Sequence, residues 1–110
     1  MTRLAERHCA ACNGDTPRLD DATIKAHLDA LSEHWEPDGP DAIEGRFKFK
    51  NYYHTQAFVN AVAYIAHCED HHPDITFGYN RCSIRLTTHA MGGLSDNDFI
   101  CAAKIDRLLP

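Results

Sequence analysis

No apolar run in this 110-residue sequence approaches 18 residues, so it offers no membrane-spanning helix. Its first residues, Met1-Thr2-Arg3-Leu4-Ala5-Glu6-Arg7, lack the apolar core of a secretory signal. It also lacks a basic cluster. Eleven Lys and Arg against sixteen Asp and Glu leave a net charge of −5 with His neutral, and the basic residues are spread thinly, as in Arg46-Phe47-Lys48-Phe49-Lys50. Nucleic-acid binding, which needs a positive patch, is therefore not expected. Five cysteines is an odd number, and with no secretory signal a disulfide framework is not expected; a reducing cytoplasmic location is the expectation. Cys9-Ala10-Ala11-Cys12 has no second ligand pair at zinc-site spacing and no strand before it, so it reads as a reduced segment without catalytic weight.

The length suits a single domain spanning 1–110. Residues 1–18 are polar, end in the turn cluster Gly14-Asp15-Thr16-Pro17, and read as a flexible extension. Asp20 or Asp21 can cap a first helix over 21–33, where Ile24, Leu28 and Leu31 recur at helical spacing. Glu36-Pro37-Asp38-Gly39-Pro40 reads as a turn, with a short strand at Trp35 able to pair across it. Ile43, Phe47 and Phe49 then share parity against Glu44, Arg46 and Lys48, the pattern of a half-buried strand. A second helix over 55–70 carries Phe58, Ala61, Val62, Ile65 and Cys68, and Pro73 limits its end. Ile75, Phe77 and Tyr79 alternate, and so do Cys82, Ile84, Leu86 and Thr88. Cys68, Cys82 and Cys101 fall on apolar faces and read as core. Ser95 can cap a last helix, with Asp98 three residues on and Leu94 and Phe99 as a hydrophobic staple. The order α-β-β-α-β-β-α with short turns predicts an α+β fold: a four-stranded antiparallel sheet with three helices packed on one face.

The excess in this composition is histidine. There are eight, and protonating all of them would move the net charge from −5 to +3. His8, His27, His34 and His54 read as surface or turn residues. The others, His67, His71, His72 and His89, fall around the end of the second helix and the end of the best strand. Adjacent imidazoles at a helix end facing a third at a strand end could line one cleft, and an imidazole suits acid–base work at neutral pH. A plainer account has His71 and His72 interacting with the helix C-terminal dipole and Asp98 capping a helix. His67 and His71 are also four apart, as zinc ligands on a helix are, but the glutamate of His67-Cys68-Glu69-Asp70-His71 is displaced from H-E-x-x-H.

The run His67-x-x-x-His71-His72-Pro73, with Tyr79, Thr88-His89 and Gly93-Leu94-Ser95-Asp96-Asn97-Asp98 downstream, resembles the pterin-4a-carbinolamine dehydratase family. Trp35, Arg46-Phe47-Lys48-Phe49 and Phe58 also fit its pattern, so the resemblance covers about residues 20–108. The departure is His67, where animal members usually carry glutamate. The resemblance implies a cytoplasmic hydro-lyase that removes water from 4a-hydroxytetrahydropterin to give quinonoid dihydropterin. That activity supports tetrahydrobiopterin recycling for aromatic amino-acid hydroxylases, chiefly phenylalanine hydroxylase. It implies no metal and no organic cofactor, and a homodimer or homotetramer. It makes His71 and His89 the acid–base pair, with His72 positioning the pterin. Asp98 and Asp70 would orient an imidazole or stabilise its protonated form. Trp35 would wall the pocket, and Pro73 and His67 join the supporting set. Three alternatives remain open: a binding protein, since animal relatives also serve as a transcription-factor dimerisation cofactor; a pterin enzyme of molybdopterin metabolism; and a zinc protein.

Overall fold

A computed structural model describes residues 3–109. Three helices, α1 (Asp21–Asp29), α2 (Tyr52–Glu69) and α3 (Asp96–Asp106), alternate with two strand pairs, β1 (Trp35–Asp38) with β2 (Ala42–Lys48) and β3 (Asp74–Phe77) with β4 (Arg81–Leu86). All pairings are antiparallel, in the spatial order β1-β2-β4-β3. This is the expected α+β class and element order. Among the described residues no helix is long and apolar enough to cross a membrane.

The register explains the core. Ile43 lies opposite Leu86, Gly45 opposite Ile84 and Phe47 opposite Cys82, so one parity of β2 and β4 points to the same face. Those side chains are buried together with Phe58 and Val62 of α2 and Phe99, Ala102 and Ile105 of α3. Gly45 is required where it stands: a Cβ there would lie 2.9 Å from carbons of both the Trp35 and the Phe47 ring. Trp35 meets Phe47 edge-on, and Phe47 and Phe49 both tilt against Phe58 at 4.9 Å between centroids.

Local differences from the sequence expectations have identifiable causes. The supposed turn at Glu36-Pro37-Asp38 is strand β1. Proline is tolerated there because β1 is an edge strand, where a missing N–H disturbs no inner ladder. Helix α1 ends at Asp29, earlier than expected, while Asp20 caps it as read, accepting from Thr23 N at 2.8 Å. Cys68 is exposed, and only Cys82 and Cys101 of the supposed core cysteines are buried, because the inward stripe of α2 is Phe58-Val62-Ala66.

Residues 3–12 pack against α3 and the end of α2. Lys104 Nζ donates to Ala5 O at 2.9 Å, Arg7 pairs with Asp96 at 3.0 Å, and Cys9 N–H donates to Glu69 Oε1 at 2.8 Å. The segment read as a flexible extension is thus tied down at several points. Its polar composition hides this because half of each tie is main chain or a distant side chain.

Candidate active site

The end of α2 is set by Asp70, which adopts a left-handed conformation (φ 51°) and donates its N–H to the carbonyls of Ala66 and His67. Aspartate is among the few non-glycine residues that visit this region readily. His71 N–H closes the same turn on Ala66 O at 3.2 Å. The reversal turns His71 inward and leaves His72 outside, with side-chain exposures of 11 % and 74 %. It also separates His67 from His71. His67 is an exposed residue of the helix, and His71 lies beyond the helix end, so the pair does not share a helical face. The zinc-like spacing is thereby undone by the cap. Among the described residues no group of three or more His, Cys, Asp or Glu side chains is arranged to hold a metal ion.

The partner of His71 comes from α3. Ser95 caps this helix and Asp98 occupies its third position, completing a reciprocal capping box. The Asp98 side chain has no exposed surface. Its Oδ1 lies 2.7 Å from His71 Nε2; its Oδ2 accepts from Thr88 Oγ1 at 2.8 Å and from Ser95 N at 3.0 Å. Thr88 has one hydroxyl proton and gives it to Asp98, so at the 2.7 Å contact between the two hydroxyls Ser95 donates to Thr88. Three donors therefore converge on the two oxygens of one carboxylate at the positive end of a helix. The capping and catalytic readings of Asp98 are compatible, because the capping oxygen is Oδ2 and the imidazole-facing oxygen is Oδ1. With Nε2–H committed to Asp98, His71 has Nδ1 for proton exchange.

Thr88 and His89 follow β4, which ends at Leu86. Thr88 and Gly93 are bridged through Thr88 N to Gly93 O at 2.9 Å, and His89–Met91 make a single tight helical turn between them. His89 is exposed at the start of that turn. His71, His72, Thr88 and His89 line one cleft of about 350 Å³, with Ala11 and Cys12 from the N-terminal segment.

The remaining expected site residues divide. Asp70 borders the cleft, but its Oδ1 is 3.7 Å from His72 Nε2, an open contact rather than a hydrogen bond. Pro73 is half-buried and begins the extended run into β3. His67 is not a lining residue. Trp35 is not one either: it is buried in the aromatic core, 6 % exposed, and its indole N–H donates to Asp106 Oδ1 at 2.9 Å. Sequence reasoning missed Asn97, which is buried beside Asp98 and borders the cleft. No local signal could have found it, because its partner is Ala10, 87 residues away.

Fold and site together define an α+β protein with a carboxylate-backed imidazole at the edge of a small cleft. The family model described as "Pterin 4 alpha carbinolamine dehydratase" matches residues 17–108, and the chain belongs to that family. A protein of Nitrosomonas eutropha, provisionally named a pterin-4-alpha-carbinolamine dehydratase, is 53% identical over 106 residues, covering 96% of this chain and 93% of its own. A crystal structure from Brucella melitensis, titled transcriptional coactivator/pterin dehydratase, aligns with a TM-score of 0.80 at 33% identity over 86% of this chain and 100% of that one. A pterin dehydratase-like protein identified as a RuBisCO assembly factor in the alpha-carboxysome aligns with a TM-score of 0.60 at 28% identity, over 69% of this chain and 89% of that one.

Proposed function

We propose that this chain dehydrates 4a-hydroxytetrahydropterin to quinonoid dihydropterin by histidine acid–base catalysis. The observation that carries the reading is the buried 2.7 Å contact between His71 and Asp98 at the edge of a cleft that also holds His72 and His89. The 4a-hydroxyl is a poor leaving group until protonated. The N5 lone pair expels it as water, and a base then removes the N5 proton. His71 and His89 are the acid–base pair, and His72, exposed to solvent, positions the ring. Asp98 fixes the orientation of the His71 ring, and Asp70 assists at the rim. The reaction supports tetrahydropterin recycling for an aromatic amino-acid hydroxylase such as phenylalanine hydroxylase, with the protein acting in the cytoplasm as a homo-oligomer.

The test is dehydration of freshly generated 4a-hydroxytetrahydropterin, with the spontaneous rate subtracted. His71→Ala and His89→Ala should each lower the rate by about 10²–10⁴-fold, the usual worth of a positioned acid or base. Wild-type rates in both variants would remove the assignment. A second reading, as a binding or assembly protein, draws on the coactivator and assembly-factor descriptions of the two solved neighbours. It is favoured if the folded wild-type chain gives no rate above background.

A further inference from the structure

Residues 10–12 precede the stretch matched by the family model, which begins at 17, yet they border the cleft. Ala10, Ala11 and Cys12 line it together with His71, His72 and His89. Cys9 N–H donates to Glu69 Oε1 at 2.8 Å, at the end of α2. The Asn97 side chain takes both main-chain groups of Ala10: its Oδ1 accepts the N–H at 2.9 Å and its Nδ2 donates to the carbonyl at 2.7 Å. The same Nδ2 lies 3.4 Å from Cys12 Sγ.

Such a two-point amide contact fixes direction as well as distance. Asn97 is 7 % exposed and stands next to Asp98 in the first turn of α3. One turn of helix therefore holds His71 through a carboxylate and the N-terminal segment through an amide. The lining it supplies, two alanines and a cysteine, is small and of low relief. That suits the face of a flat ring, which gains from apolar contact without needing a shaped pocket.

We propose that residues 10–12 are a substrate-contacting wall of the cleft, and that Asn97 is the positioning residue that holds them there for a planar pterin. This rests on the reading of the cleft as a pterin site. A wall that contacts the ring without exchanging protons contributes to binding in the ground and transition states alike, so its loss appears in KM rather than in kcat.

Alkylation of the intact wild-type protein tests the contact directly. Cys12 is partly accessible in the cleft, whereas Cys68 is exposed on α2 outside it and serves as the internal control. A stable dihydropterin at about ten times its Kd, measured separately by calorimetry, should slow iodoacetamide labelling of Cys12 by about tenfold, the ratio of total to free sites. Cys68 labelling should not change. Unchanged Cys12 labelling in the ligand-bound protein overturns the proposal. Failure of calorimetry to detect any pterin, with no dehydration above background, instead overturns the pterin reading and the wall with it. Asn97→Ala should raise KM about tenfold with kcat held within about threefold. Because Asn97 is buried, Ala11→Trp, at an exposed position, is the companion variant: it crowds the cleft and should raise KM similarly in a folded protein. An unchanged KM in folded Ala11→Trp, or a fall in kcat alone, counts against the wall.

Discussion

Two buried regions of this molecule exclude water on different terms. One is the aromatic wedge of Trp35, Phe47, Phe49 and Phe58 between the sheet and α2. The other is the polar corner of His71, Thr88, Ser95 and Asp98 at the start of α3. The wedge is held by area: each buried ring contributes about 1.5–3 kcal/mol. The corner gains little from burial, since an unpaired polar group there would cost about 1–3 kcal/mol and a charge more. It persists because every member has a partner, and among the described residues no buried side-chain nitrogen or oxygen lacks one. Apolar side chains could fill such a volume at equal or greater stability. Under the proposed function, the polar network that borders the cleft serves chemistry, whereas the wedge serves structure.

The comparison breaks if the two regions respond alike to substitution. The largest effect belongs to the corner. His71→Ala should lose about 10²–10⁴ in dehydration rate and, by taking from buried Asp98 one of its three donors while Thr88 and Ser95 remain, about 1–3 kcal/mol of stability as well. Removing one ring of the wedge comes next. Phe47→Ala should cost about 3–5 kcal/mol in a denaturant titration, while turnover per folded molecule stays within about threefold. A folded Phe47→Ala protein without turnover would erase the distinction between the regions. Trp35→Phe is gentler. It keeps most of the ring and loses the N–H bond to Asp106, for about 1 kcal/mol. A rise of about tenfold in KM in that variant would instead return Trp35 to the pocket, where the family resemblance had put it.

What was legible in the sequence follows the same division. The wedge announces itself by period: Ile43-x-x-x-Phe47 on a strand and Phe58-x-x-x-Val62 on a helix are short-range patterns. The cap Ser95 and its partner Asp98 are equally local. His71, His72 and His89 were visible as residues and as motifs, but which imidazole turns inward depends on a left-handed Asp70. Cys68 was misplaced because a stripe spaced by threes and fours drifts off the buried face by its last member. Trp35 was misassigned because its indole bond to Asp106 spans 71 residues. The N-terminal segment was hardest to read. Its anchors, Glu69, Asp96 and Asn97, are polar residues whose partners lie 60 to 89 positions away.

Those anchors give the smallest effect, one that separates this segment from both buried regions. Burial pushes the Glu69 carboxyl upward, but the Cys9 N–H, the His8 ring and the Lys104 charge outweigh it and hold its pKa below the ordinary 4.5. Burial acts likewise on Asp96, and the His27 and Arg7 contacts hold it below 3.8. A carboxyl that titrates lower when folded adds stability in full above its unfolded value and loses it as pH falls through the folded one. The tie between the N-terminal segment and α2 should therefore weaken in acid below about pH 4.5, where the unfolded carboxyl begins to take up its proton. Glu69→Gln removes that titration. It should melt below wild type at pH 6, and the gap should close as the pH drops, because protonation brings the wild-type side chain to the same neutral state. A gap that stays constant from pH 6 to acid would mean that Glu69 contributes packing alone, and the N-terminal segment would then be held by Asn97 and its neighbours without the carboxylate.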